Sequence, residues 1–205
     1  MLELNICLLP NKKVSDECIR LSQSIAKPFD GLFILDNKTH HPHLSLYHFG
    51  IPNKNLSHVK AAAKQLIGKV TPFTIHLFKP SQDKGFIEVS AVNSLAIKKL
   101  QRAIINTINP LREGLQRPGM VDLMRQSTTD SKTKNNIEQF GYPYIRSAFK
   151  PHITLTRLAG EQKAKTITRE LQIAPMRFMS NKIGLALIGQ NGTCPKIITI
   201  FRVQS

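Results

Sequence analysis

Residues 3–9 alternate apolar and polar side chains well enough for a β-strand, and apolar positions at helical spacing follow. Ser15 is a candidate N-cap for a helix over about 16–26, with Ile19, Leu21 and Ile25 on its buried side and Pro28 just past its end. A short apolar run occupies 32–35. The stretch 43–51, His-Leu-Ser-Leu-Tyr-His-Phe-Gly-Ile, reads as a strand. Asn55 or Ser57 caps the next helix, where Val59, Ala62, Ala63, Leu66 and Ile67 recur at helical spacing before Gly68. Strand patterns at 72–79 and 86–92 flank the turn-rich Ser81–Gly85 and predict a hairpin. An amphipathic helix over about 94–112 follows, with Leu100, Ala103, Ile104 and Ile108 inward.

Residues 113–140 break the pattern, being rich in Ser, Thr, Asn and Lys. A structureless loop of that length is uncommon in a compact domain and is either functional or disordered. Beyond it the pattern predicts a strand over 151–157 and a short helix around 161–171. A closing hairpin, 182–189 and 196–203, is joined through the two-residue turn signal Asn191-Gly192. Strand, helix and hairpin recur in both halves. The fold class is α+β with antiparallel sheets, organised as one domain over 1–205. Its expected parts are a lobe over about 1–92, a helix and polar loop over about 93–145, and a second lobe over about 146–205.

Two tetrapeptides stand out against this pattern: His43-Leu44-Ser45-Leu46 and His152-Ile153-Thr154-Leu155, each preceded by proline. On a strand, alternation sends one imidazole and one hydroxyl to one surface and two apolar side chains to the other. A regular first strand would carry His41, His43, Ser45 and Tyr47 on one face, with Leu44, Leu46 and His48 opposite. The second would carry Lys150, His152, Thr154 and Thr156, with Arg157 on the far side. Two imidazoles and several hydroxyls then line one cleft.

That set suits phosphoryl transfer without a metal. Opening a phosphodiester takes a base for the attacking oxygen, an acid for the departing one, and donors on the non-bridging oxygens. Histidine titrates at about 6.5, so one neutral and one protonated imidazole coexist near neutrality.

Charge bears on what the cleft would meet. Twenty-nine Lys and Arg against thirteen Asp and Glu give +16, most of it in the second half. Such a field concentrates polyanions such as RNA. No apolar run approaches the ~18 residues of a membrane span, so no membrane partner is expected. The N-terminal apolar stretch is interrupted by Glu3 and Asn5 and lacks a basic leader, so it reads as a strand and not a signal peptide. Three scattered cysteines read as reduced, buried thiols of a cytoplasmic protein. A monomer is expected.

The segments His43-Leu-Ser-Leu-Tyr-His-Phe-Gly and Phe149-Lys-Pro-His152-Ile-Thr154-Leu-Thr-Arg157 resemble the two signatures of the two-histidine (2H) phosphoesterases. That superfamily includes the 2′-5′ RNA ligase-like proteins and the RNA 2′,3′-cyclic phosphodiesterases. The resemblance implies a bilobal, pseudo-two-fold α+β fold with a cleft between two antiparallel sheets. It also implies cofactor-free, metal-independent chemistry on 2′,3′-cyclic or 2′-5′ phosphates of RNA or nucleotides. It assigns His152 as base and His43 as acid; Ser45 and Thr154, two residues on and on the same face, can donate to the phosphoryl oxygens. Ser45 stands where the family more often has threonine.

Around that centre, Tyr47 and Lys150 either contact substrate or, for Lys150, reach solvent. Arg157 either pairs structurally or reaches round the strand end to a phosphate. Phe149, Tyr142 and Tyr144 either stack a base or belong to the core. His40, His41, His43 and His48 have Asp36 as the one nearby carboxylate and no spaced cysteine, so no metal is expected. A non-catalytic RNA-binding module and a small-molecule cyclic-nucleotide esterase are the alternatives.

Overall fold

Asn11, not Ser15, starts the first helix, because its side chain accepts a hydrogen bond from Val14 N at 3.0 Å. The computed structural model describes residues 1–203. In it, β1 (Leu2–Leu8) leads into α1 (Lys12–Phe29), whose last turn includes Pro28 before Asp30 ends it in the left-handed region. The first motif strand is β2 (Leu44–Ile51), followed by α2 (Leu56–Ile67) and the hairpin β3 (Thr74–Asp83) and β4 (Phe86–Ala91). Lys84 and Gly85, both at positive φ, make that hairpin's turn tighter than Ser81–Gly85 suggests. Ser94 caps α3 (Leu95–Ile108).

The polar stretch 113–140 is not a loop. It holds α4 (Pro118–Arg125) and α5 (Ser131–Phe140), the latter capped by Asp130. Ile137 is the only side chain that α5 buries, so there is no apolar stripe to read in its sequence. Polar side chains dock it by its C-terminal carbonyls. Gln116 Nε2 donates to Ile137 O at 2.9 Å, Tyr47 Oη to Phe140 O at 2.6 Å, and the buried Arg112 to Gln139 O at 3.4 Å.

The second motif strand is β5 (His152–Arg157), followed by α6 (Glu161–Glu170), the four-residue β6 (Met176–Met179), β7 (Lys182–Leu187) and β8 (Ile197–Arg202). Sequence reasoning missed β6. Asn191 and Gly192 do adopt positive φ, yet they turn the tip of a wider loop over 188–196, which Gly189 N closes on Thr193 O at 2.8 Å.

All pairings are antiparallel, in the order β6-β3-β4-β5-β2-β1-β7-β8. The eight strands form one sheet, whose two four-stranded halves meet at the motif strands through a single pair, Leu44 with Ile153. The strands do not sort by position along the chain as the expected lobes did. The His43 half takes β1 and β2 together with the C-terminal hairpin, and the His152 half takes the middle hairpin and β6. Helices α2 and α3 cover the first half, while α1 and α6 cover the second. The apolar run 32–35 forms no strand. It lies along β5, with Leu32 N on Arg157 O at 2.8 Å.

Candidate active site

Each motif strand carries one extra residue. Along β1 and β2, Ile6 faces Tyr47 and Cys7 faces Ser45, so Leu46 has no partner of its own. Along β4 and β5, Ile87 faces Thr156 and Glu88 faces Thr154, so Leu155 has none. Both are β-bulges, three residues after a histidine. A bulge shifts the inside-outside alternation by one. Leu46 and Leu155 stay fully buried, and the next residues, Tyr47 and Thr156, turn inward as well.

The consequences overturn four expected placements, those of Thr156, Tyr47, His48 and Arg157. Tyr47 is absent from the cleft: it is fully buried, stacks on Phe49 with centroids 5.0 Å apart, and donates to Phe140 O. Burial pushes its phenol up to about 12. His48, expected opposite, comes round to the side of Ser45. Arg157 likewise joins the motif face, over the Phe86 ring at 4.7 Å, and donates to Asn191 Oδ1 at 2.9 Å.

A bulge also leaves a backbone carbonyl unpaired, and a buried one needs a donor. Gln101 on α3 donates its Nε2 to Leu46 O at 3.2 Å, and Ser22 on α1 donates its hydroxyl to Leu155 O at 2.6 Å. Both side chains are buried. The two halves thus solve the same problem from the same direction.

The histidines are held alike. His43 Nδ1 lies 2.8 Å from His41 O, and His152 Nδ1 lies 2.8 Å from Lys150 O. A carbonyl only accepts, so each Nδ1 carries a proton and Nε2 is the nitrogen left for other partners. The prolines at 42 and 151 bias the residues before them toward extended backbone, which suits this fold-back. His43 and Thr154, one from each motif, line the same narrow pocket together with Asn191 of the β7–β8 loop.

The hydroxyls differ. Ser45 accepts from Asn5 Nδ2 at 2.9 Å, and its hydroxyl lies within hydrogen-bond distance of His48 Nε2, at 2.9 Å. Thr154 has no hydrogen-bond partner among the described residues and faces the pocket. Lys150 is exposed. Tyr144 is 44% exposed, edge-on to Tyr142 at 5.6 Å, and Tyr142 tilts against His48 at 4.9 Å. Phe149 belongs to the core.

Three partners escaped the sequence reading. Glu88, in register with Thr154, sets its Oε1 3.2 Å from His152 Nε2. Burial, with Asp83 nearby, pushes its carboxyl up to about 8, so it faces the imidazole as a protonated acid. Burial and the charge of His43 hold His152 below the ordinary histidine value. Cys194 sits against His43. The hydrogen bond from Cys7 outweighs burial and, with the His43 charge, draws the Cys194 thiol down to about 4. Burial disfavours a charged His43, but the charge and hydrogen bond of Cys194 outweigh it, and the His43 pKa is raised. Third, Arg117 is buried beside Tyr142, its guanidinium 5.9 Å from the ring centroid. Burial, then the charges of Arg117, His43 and His152, keeps His48 neutral. Glu88 was visible as one acid on the site side of an apolar strand; Cys194 left no local trace.

The fold recurs in solved structures. TT0787 of Thermus thermophilus aligns over 98% of this chain and 98% of its own at 16% identity, with a TM-score of 0.60. A protein described as a phosphoesterase aligns over 100% of both chains at 13% identity and a TM-score of 0.63. E. coli LigT complexed with 3′-AMP aligns over 100% of this chain and 99% of its own at 14% identity, with a TM-score of 0.56. The α+β fold that the two motifs imply is the fold of these structures. None of the curated proteins matches the chain. The family described as "Protein of unknown function (DUF1045)" matches residues 51–193, a span that holds His152 but not His43. Because that match takes in more than half of the sequence, the chain belongs to the DUF1045 family.

Proposed function

We propose that the protein is a metal-independent phosphodiesterase that opens 2′,3′-cyclic or 2′-5′ phosphates at RNA or nucleotide ends. One observation carries the reading: the two histidines are held alike at the start of paired strands, each with Nδ1 tied to a carbonyl, so that Nε2 is the nitrogen turned to other partners. His152, whose pKa is depressed, takes a proton from the attacking water. His43, whose pKa is raised, gives one to the departing ribose oxygen. Thr154 donates to a non-bridging oxygen, and Arg157 supplies positive charge on the same face. Glu88 vacates Nε2 as water enters. The chemistry divides across a pair whose surroundings push the two pKa values apart, as acid–base catalysis needs. LigT, bound to 3′-AMP in its own complex, is a fold relative that accommodates a nucleotide.

The test is turnover of a 2′,3′-cyclic mononucleotide and of a cyclic-ended oligonucleotide. His43→Ala and His152→Ala should each lower the rate by about 10²–10⁴ while the circular dichroism spectrum is unchanged, and EDTA should have little effect. Full activity in either variant would end the proposal.

A further inference from the structure

A groove of about 240 Å³ lies between α3 and the segment that leads from α5 to β5, outside the cleft. Lys98, Arg102 and Arg146 line it, with Gln101, Asn106 and Phe140. Among the described residues none of the three cations has an acidic partner within ion-pair distance. No Asp or Glu occurs anywhere in 95–112. Cations gathered without counter-charges repel one another, which an anion would relieve.

The groove is also built, not merely basic. Arg146 stands at φ 53, outside the ordinary range for its residue type, with its guanidinium 4.7 Å from the centroid of Phe140. Lys98 and Arg102 are one turn apart on α3, ~6 Å along its axis, which fits a ligand with repeated charges better than a single phosphate. The groove is tied to the cleft. Gln101 donates to both Leu46 O, at the bulge, and Tyr144 O, each at 3.2 Å. From Tyr144 the aromatic contacts run through Tyr142 to His48.

We propose that this groove is a second anion-binding site that takes the phosphodiester backbone of a single-stranded polynucleotide whose end lies in the cleft. The identity of that end rests on the phosphodiesterase reading above; the binding itself does not. The ligand crosses Tyr144 and lays successive phosphates against Lys98, Arg102 and Arg146. Polymer substrates are then held at two places, and mononucleotides at one.

The experiment is fluorescence anisotropy of the full chain with a labelled single-stranded RNA of about a dozen nucleotides, over a salt series. The variants are Lys98→Glu with Arg102→Glu and, separately, Arg146→Gln. The charge-matched control is Lys13→Glu with Lys27→Glu on the exposed surface of α1. The Lys98/Arg102 pair should weaken RNA binding at least tenfold and flatten the salt slope by about 1.4, the share of two phosphate contacts on a single strand. Arg146→Gln should flatten it by about 0.7. Hydrolysis of a cyclic mononucleotide should be unchanged in both. No RNA binding by the wild-type chain, unchanged affinity in the groove variants, or an equal loss in the α1 control would overturn the site. RNA binding that depends on the groove, with no turnover of any substrate, would keep it while removing the catalytic reading.

Discussion

Leu46 and Leu155 are the same residue in two halves of one molecule: each is the unpaired residue of a bulge, three positions after a histidine, with its carbonyl held by a buried side chain of the helix behind. The bulges decide which side chains share the cleft. Without them Tyr47 would face it, and His48 and Arg157 would not.

Removing a carbonyl's donor tests that arrangement. Ser22 also accepts from Leu35 N at 2.8 Å, so Ser22→Ala leaves two buried backbone groups unpaired. We expect a loss of about 2–4 kcal/mol in urea unfolding and a fall in turnover as the His152 strand loosens. A variant as stable as wild type would show that the bulge needs no support from α1.

Tyr47→Phe should behave as a core substitution. It removes the hydroxyl that satisfies Phe140 O and should cost about 1–2 kcal/mol, with turnover unchanged. A normal melting temperature together with a raised KM would return Tyr47 to the substrate.

Glu88→Gln is best read by stability against pH. The folded carboxyl keeps its proton up to about 8, against an ordinary value of 4.5. Between those values the native state binds the extra proton, so wild-type stability falls as pH rises, by at most about 1.4 kcal/mol per unit. His152, whose pKa is depressed, works in the opposite direction and is common to both proteins. The glutamine variant should therefore gain on wild type steadily from pH 5 to 8. Parallel urea midpoints across that range would mean that Glu88 is ionised throughout.

Cys194→Ala removes the group that raises the His43 pKa and should lower it. If His43 is the acid, activity requires its proton, so the alkaline limb of the rate profile should move to lower pH while the acid limb, set by His152, stays in place. Movement of the acid limb instead would reverse the two roles.

Much of this was legible in the chain. The two His-x-Ser/Thr-x segments, the proline before each, and most strands and helices follow from local rules, because proline restriction, capping and alternation act over a few residues. The polar helix α5 was not legible, since its docking uses Gln116, Arg112 and Tyr47 and leaves no apolar stripe. Nor was the membership of each half of the sheet, because which hairpin joins which motif strand is set by packing between distant segments.

By itself, the sequence determined that two imidazoles and two hydroxyls would sit on strand faces backed by apolar side chains. Only the tertiary structure decided what each would meet. A bulge is a property of two strands in register, so Tyr47 turned inward and His48 and Arg157 outward for reasons no single strand contains. Burial then set Glu88 against one histidine and Cys194 against the other, so that two like motifs have their histidine pKa values pushed in opposite directions.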